Sequence, residues 1–175
     1  NNDDIFRSQD FAISYLISQT KIEKLEVYVS NLNYFYFFNT PKLTSITVSD
    51  GEDSRYVKID GCLYTKDKKK LIVAERNLKN IKIDSSCQII SNYAFNIDSL
   101  EKVTFEKNSE LKEISIFAFS ESQIKSIVIP DSVDLIDYGA FYKCEKLKTI
   151  NIPHSIFLID FFTFSFTNLT KILIP

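Results

Sequence analysis

Glycine, proline, histidine, methionine and tryptophan are scarce in this 175-residue sequence. There are three Gly, four Pro and one His, and neither Met nor Trp. So few glycines leave no Gly-rich loop to hold a phosphate, and the single histidine, His154, cannot complete a zinc site, which needs three or four ligands. We therefore expect no cofactor, no metal site and no catalytic residue, and the chain is predicted not to be an enzyme.

Charge and hydrophobic runs argue against two further classes of protein. The 21 Lys and Arg nearly balance the 23 Asp and Glu, for a net charge of −2, whereas nucleic-acid binders carry a marked positive charge. The longest apolar runs, such as residues 34–38, fall far short of the ~20 residues of a membrane-spanning helix. We expect no nucleic-acid partner and no transmembrane segment in this piece.

The N-terminal residues do not resemble a signal peptide. Residues 1–4 are acidic and polar, whereas a signal peptide has a basic start and an apolar core. Because the chain also lacks an initiator Met, we interpret it as a processed or excised piece. Residues 1–20 are predicted to form an N-terminal cap, in which residues 5–18 are either a short amphipathic helix or irregular. The aromatic run 34–38 is interpreted as core and cap rather than as a binding patch.

Six apolar positions recur with a period of about 23 residues. The reference positions are Phe95, Phe119, Phe141 and Phe164, at separations of 24, 22 and 23 residues. An isoleucine lies five residues before each phenylalanine and another apolar residue lies eight before it. An apolar-x-x-apolar-x-apolar triplet follows each one. The same triplet occurs at 78–83 and 43–48, and more weakly at 22–27. Such a repeat organises the whole chain.

Each unit ends in an apolar-x-apolar sequence, and this alternation is typical of a short half-buried strand. The unit is too short to contain a long helix in addition to the strand. A single unit buries too little apolar surface to offset the entropy of ordering it, whereas stacked units share one core and pair their strands. An amphipathic helical repeat is the alternative. Strands fit better, because Pro130 and Pro153 directly follow triplets rich in Ile and Val.

Residues 124–175 resemble the BspA-type leucine-rich repeat, whose unit reads L-x-x-I-x-I-P-x-S-V-x-x-I-x-x-x-A-F-x-x-C. The positions that match are Ile136, Ala140, Phe141, Cys144, Leu147, Ile150, Ile152 and Pro153. The resemblance extends over 78–175 and loosely to 43–48. It departs from the pattern at Thr163, where Ala is usual, and at two extra residues near Lys107 and Asn108.

The predicted fold is therefore a leucine-rich repeat solenoid of the α/β class. We expect about six or seven coils, made mostly of short parallel strands with turns and short 3-10 segments, in a single domain over residues 1–175. The cysteines Cys62, Cys87 and Cys144 are odd in number and widely spaced, and each falls at an apolar position. They are interpreted as core residues, which leaves the redox compartment open.

An insertion is predicted over residues 49–77, because Leu43 and Leu78 are 35 residues apart. Three alternating runs there indicate an antiparallel β-hairpin or meander, with Asp60-Gly61 as the first turn. The string DGCLYTKDKKKLI also resembles an insert common in the BspA-like family. The lysine cluster within residues 66–70 is interpreted as a solvated turn rather than as a nucleic-acid or heparin site.

The residues interleaved in each triplet are expected to point outward, and stacking places them side by side as one continuous ladder. The predicted ligand-binding residues on this sheet face are Lys82, Lys102, Thr104, Ser126, Val128, Thr149, Asn151, Lys171 and Leu173. A docking surface and an ordinary solvated sheet face both remain open.

The resemblance implies a non-catalytic protein- or glycan-binding module of a cell-surface or secreted adhesin that attaches to host cells, matrix or other microbes. Its partner would be a protein or glycan ligand on a host or neighbouring cell. The alternative is an intracellular leucine-rich repeat scaffold for protein–protein interaction. Because an unpaired last strand is a reactive edge, self-association through the open C-terminal end is a further expectation.

Overall fold

The computed structural model describes residues 21–27, 37, 40–48 and 54–174. Within these ranges it contains thirteen short strands and no helix. The strands are, in chain order, β1 (Lys24–Val27), β2 (Ser45–Val48), β3 (Tyr56–Ile59), β4 (Cys62–Thr65), β5 (Lys70–Ala74), β6 (Asn80–Ile83), β7 (Ile89–Ile90), β8 (Lys102–Phe105), β9 (Glu113–Ile114), β10 (Ser126–Ile127), β11 (Leu135–Ile136), β12 (Thr149–Asn151) and β13 (Lys171–Leu173).

The repeating coils contribute strands to two opposite faces of a solenoid. The first face holds the parallel groups β1-β2, β6-β8 and β10-β12-β13, and the second face is one sheet in the order β11-β9-β7-β5-β4-β3. Equivalent residues are paired in register, as in the series Ile127, Ile150 and Ile172. The predicted stacking of coils is confirmed, and so is the leucine-rich repeat solenoid.

The short 3-10 segments that we expected do not occur in the described ranges, where the connections are turns instead. The residue two positions before each core phenylalanine has a left-handed backbone conformation. These residues are Tyr93, Phe117, Gly139 and Phe162, with φ of 56°, 51°, 61° and 58°. A residue of this conformation interrupts any right-handed helical turn. The expectation of 3-10 segments is therefore corrected.

A column of stacked phenylalanines forms the centre of the core. Phe95, Phe119 and Phe141 are fully buried, and their ring centroids lie 5.1 and 5.3 Å apart with nearly parallel planes. Phe164 continues the column at 5.7 Å from Phe141. Offset stacking of this kind adds to the burial of each ring. The two middle rings, Phe119 and Phe141, therefore have the same apolar neighbour above and below.

Backbone hydrogen bonds continue through the turns beside this column. The amide of Phe95 donates to the carbonyl of Ala118, and the amide of Phe119 to that of Ala140, at 2.7 and 2.8 Å. Thr163 replaces alanine in the next coil and is buried. Its hydroxyl donates to the carbonyl of Asp160 at 2.8 Å. The departure from the family pattern is accommodated because this polar group finds a partner.

The three alternating runs of the insertion are the antiparallel strands β3, β4 and β5. Asp60 and Gly61 both have positive φ, at 48° and 78°, as a two-residue hairpin turn with right-handed strand twist requires. The third strand is also part of the solenoid, because β5 pairs in parallel with β7 and sets Leu71 beside Ile90. The insertion is therefore built into the second face.

Two polar side chains at the end of β5 join the insertion to the coils beside it. Glu75 accepts from the amide of Ile46 at 2.8 Å and from Lys58 Nζ at 2.6 Å. Arg76 is 4% exposed and donates to the carbonyl of Phe37 at 2.9 Å and to that of Ala94 at 3.2 Å. Burial lowers the pKa of Arg76 to about 10. The sequence analysis assigned neither residue a role.

The predicted N-terminal cap, residues 1–20, lies outside the described residues, as does the helix or irregular segment expected at 5–18. Of the aromatic run 34–38 only Phe37 is described, and it is fully buried. The weakest triplet, 22–27, does form a strand, since β1 pairs in parallel with β2 and sets Leu25 beside Ile46.

All three cysteines are free and buried. Cys144 Sγ donates to the carbonyl of Phe119 at 3.0 Å, and Cys87 Sγ to that of Ile89 at 3.5 Å. Burial raises the pKa of Cys62, Cys87 and Cys144 to about 12. The predicted packing role fits these surroundings, because a thiol that stays protonated is a poor nucleophile.

Replacing Phe119 by Ala should destabilise the fold by about 3–5 kcal/mol, because it removes a fully buried ring that stacks on both neighbours. The free energy of unfolding in urea measures this loss. Phe157→Ala is the matched control, since Phe157 is 100% exposed, and its effect should stay within about 0.5 kcal/mol. Equal losses in the two variants would contradict the stacked core.

Stability should decrease as the pH rises above about 9. The thiols of the unfolded chain ionise near the ordinary cysteine pKa of 9.0, whereas the folded thiols stay neutral to about 12. The unfolded state therefore binds fewer protons in this interval, and each buried thiol lowers stability by about 1.4 kcal/mol per pH unit. Urea unfolding between about pH 8 and 10 measures the slope.

Cys87→Ala should make the fall of stability with rising pH less steep, because only the thiols of Cys62 and Cys144 still contribute to it. A stability that stays flat over this interval in the parent protein would show that the thiols are not held neutral by burial.

Candidate functional site

The nine predicted site residues all lie on the first face, in the outward positions of its strands. This outward surface of β6, β8, β10, β12 and β13, with Val128 after β10, is called the ladder face below. Lys82, Lys102, Thr104, Ser126 and Lys171 are exposed, and Thr149 and Asn151 are half-buried. Val128 is 75% and Leu173 50% exposed. Their outward direction agrees with the period-two pattern, while their binding role stays a prediction.

The ladder face is not continuous, which corrects our expectation. Lys82 lies beside Thr104 and Ser126 beside Thr149, but no strand pairing joins β8 to β10. The break follows the coil with two extra residues, since Phe105 and Leu111 are six positions apart where the equivalent pairs are four apart. The longer turn coincides with the loss of pairing between the two strands, which remain neighbours.

The break opens a groove of about 880 Å³ between β8 and β10. Lys102, Thr104, Ser126 and Val128 line it, together with Lys125 and other residues of both coils. Four of the nine predicted residues therefore surround one concavity. The sequence indicated this position only through the two extra residues, because alternation by itself does not report whether neighbouring strands are paired.

Ion pairing distinguishes the three predicted lysines. Lys82 Nζ lies 2.9 Å from Glu106 Oε1, and this hydrogen bond raises the pKa of Lys82 and lowers that of Glu106. Within the described ranges, Lys102 and Lys171 have no carboxylate within ion-pair distance. These two side chains are free to meet a ligand.

Two of the predicted polar residues are already engaged within the protein. Asn151 accepts from the amide of Ile129 at 2.6 Å and donates to its carbonyl at 2.9 Å. The hydroxyl of Thr104 donates to the carbonyl of Ile81 at 3.2 Å. Both side chains join consecutive coils, so their removal would affect the ladder as well as any ligand.

A second row of aromatic rings, which the sequence analysis did not identify, runs beside the core column. Tyr93 stacks on Phe117 at 5.3 Å, and Phe117 meets the edge of Tyr142 at 5.7 Å. A Cβ added to Gly139 would lie 2.3 Å from the Phe117 ring, so only glycine leaves room there. Part of the signal was present in the sequence, because an aromatic residue lies two positions before three of the four core phenylalanines, while Gly139 occupies that position before Phe141.

Other candidate chemistry remains dispersed. His154 is exposed and Cys144 is buried. Over the parts of the chain that the structure describes, no three His, Cys, Asp or Glu side chains are grouped so that they could hold a metal ion. The same residues include no helix with the length and hydrophobicity to span a membrane.

The last coil exposes several apolar side chains. Phe157 is 100% and Phe161 79% exposed, and Ile174 in the final turn of the chain is 77% exposed. The self-association that we predicted for this end stays a prediction.

Comparisons with solved structures return proteins of the same architecture. A leucine-rich cell-surface protein of Faecalibacterium prausnitzii has 23% identity and a TM-score of 0.61, over 89% of this chain and 48% of that one. The pneumococcal vaccine antigen PcpA has 23% identity and a TM-score of 0.59, over 87% and 45%. A leucine-rich repeat protein of Eubacterium ventriosum has 20% identity and a TM-score of 0.63, over 88% and 42%.

The chain thus spans less than half the length of each of these three proteins, and at such identities the likeness concerns the fold. No curated protein sequence matches the chain. A family model for the BspA type leucine rich repeat region matches residues 70–175 in six copies. That stretch is more than half of the sequence and contains strands β5 to β13 and the column of stacked phenylalanines, so the chain belongs to the BspA-type leucine-rich repeat family.

Proposed function

We propose that this chain is a non-catalytic binding module whose ladder face docks a protein or glycan ligand. The observation that carries the proposal is the groove between β8 and β10, which lies among four outward side chains of an otherwise regular sheet. Solenoids commonly bind partners on extended faces of this kind. Exposed side chains such as Lys102 and Ser126 offer charge and hydrogen bonds there.

The module is proposed to belong to a cell-surface or secreted adhesin that attaches to host cells, matrix or other microbes. Membership of the BspA-type family supports this, and so does the likeness to a protein described as a leucine-rich cell-surface protein. Fold alone does not determine function, so the experiments below address binding and location separately.

An intracellular scaffold for protein–protein interaction is the second candidate. It is favoured by the three cysteines, which are all free in the described structure, because reducing compartments keep thiols unpaired. Antibody labelling of intact, unpermeabilised cells separates the two candidates. An adhesin should be labelled on intact cells, and a scaffold only after permeabilisation.

A double substitution tests the ladder face itself. Ser126→Gln with Thr149→Gln enlarges two neighbouring side chains without changing the net charge, and should obstruct a ligand seated on this face. The wild-type protein on beads is measured for retention on arrayed matrix proteins, arrayed glycans and intact cells. We expect the variant to lose about tenfold or more of the retention, as for a residue at the centre of an interface.

Lys112→Gln with Asp134→Gln is the matched control. These two residues precede β9 and β11 on the second face, are exposed and are joined by the bond from the Asp134 amide to the Lys112 carbonyl. Retention should be unchanged in this variant. Equal retention by the ladder variant and the control would place the binding surface elsewhere.

A further inference from the structure

One exposed lysine stands at the start of the first-face strand in each of five successive coils. The five residues, called the lysine column below, recur every 23 positions: Lys79, Lys102, Lys125, Lys148 and Lys171. Three of them lie one residue before the outward strand positions. The alternating pattern counts only every second strand residue as outward, so these three lysines were not among the predicted site residues.

The five lysines lie on neighbouring strands in two adjacent register positions. Lys102 is paired with Asn80 and Lys171 with Thr149, whereas Lys79, Lys125 and Lys148 lie one residue earlier. The carbonyl of Lys79 accepts from the amide of Lys102 at 3.1 Å, that of Lys125 from the amide of Lys148 at 2.9 Å, and that of Lys148 from the amide of Lys171 at 3.1 Å. Strands joined in this way lie about 4.8 Å apart. Only the step from Lys102 to Lys125 lacks such a bond, and both residues line the groove there.

The lysine column has almost no compensating charge. The ion pairs among the described residues involve other lysines, namely Lys58, Lys68, Lys82 and Lys143. Glu101 is the one acidic residue in the two strand-start positions of these five coils. Like charges held side by side destabilise a sheet. A ligand that neutralises them would remove this repulsion and release bound counterions.

We infer that the lysine column binds a linear sulfated polysaccharide laid along the solenoid axis, an inference that rests on the proposed function and names its ligand class. The sulfate groups of such a polymer can pair with ammonium groups that follow one another in a staggered row along the solenoid. Neutral side chains beside the column, among them Asn80, Ser126 and Thr149, can bond sugar hydroxyls. Single-stranded nucleic acid fits less well, because its binders stack bases on aromatic rings, and none of the ten outward ladder positions is aromatic.

The test uses a heparin oligosaccharide as the probe, with binding measured by calorimetry at several NaCl concentrations. Lys79→Gln, Lys125→Gln and Lys148→Gln together should weaken binding about tenfold or more near 0.15 M salt. They should also reduce the slope of log K against log salt by about 2, at ~0.7 per lost contact. The Arg versions of the same three substitutions keep the charge and should retain binding.

Lys66→Gln, Lys69→Gln and Lys70→Gln form the matched control, since they remove the same net charge from the turn after β4 and the first residue of β5. Binding should be nearly unchanged in this variant. An equal loss in both triple variants would overturn the lysine column as the site and indicate general attraction by net charge. Equally tight binding of single-stranded DNA of matched length would overturn the assignment to a sulfated glycan.

The ladder variant of the preceding section separates this inference from the proposed function. If Ser126→Gln with Thr149→Gln abolishes retention while the lysine variant binds every ligand normally, the ladder face is a docking site and the inference fails. If the lysine variant loses heparin binding while its melting temperature is unchanged, the inference stands. If neither variant affects any binding, both proposals fail.

Discussion

In-register pairing between neighbouring coils holds this solenoid together. A coil of about 23 residues has two faces of apolar side chains and too little chain to cover them, so each coil is folded only because another lies against it. The register sets Ile127 beside Ile150 and Ile172, and the same register stacks Phe119 between Phe95 and Phe141. Core packing and backbone pairing therefore depend on one another.

The same repetition organises the surface. Because successive coils are aligned inside, the residues at their strand starts follow one another along the outside as well, and the five lysines there form a staggered row of positive charge. A hydrophobic core benefits from such repetition, whereas a row of like charges does not. The inward repeat of Ile and Phe is explained by folding alone. The outward repeat of charge is not, and it therefore points to a role in binding.

The interruption of the ladder face shows how a small change in length alters a repeat. Two extra residues after β8 lengthen one turn, and β8 and β10 are left without pairing. The core is not interrupted at this place, since Phe95 and Phe119 remain stacked and the second-face strands β7 and β9 remain paired. One face can therefore open into a groove while the other holds the coils together.

The period, the first-face strands, the core and the hairpin turn at Asp60-Gly61 could be predicted from the sequence, because each follows from local alternation or from a repeated side chain. The second-face strands β7, β9 and β11 were not predicted. It also located the outward residues, since a strand exposes every second side chain. The tertiary structure was needed to find that β5 pairs with β7, that β8 and β10 are unpaired, that Arg76 is buried against distant carbonyls, and that Lys125 lines the groove. These features depend on which segments meet in space, and because none of them recurs from coil to coil, the 23-residue period does not report them.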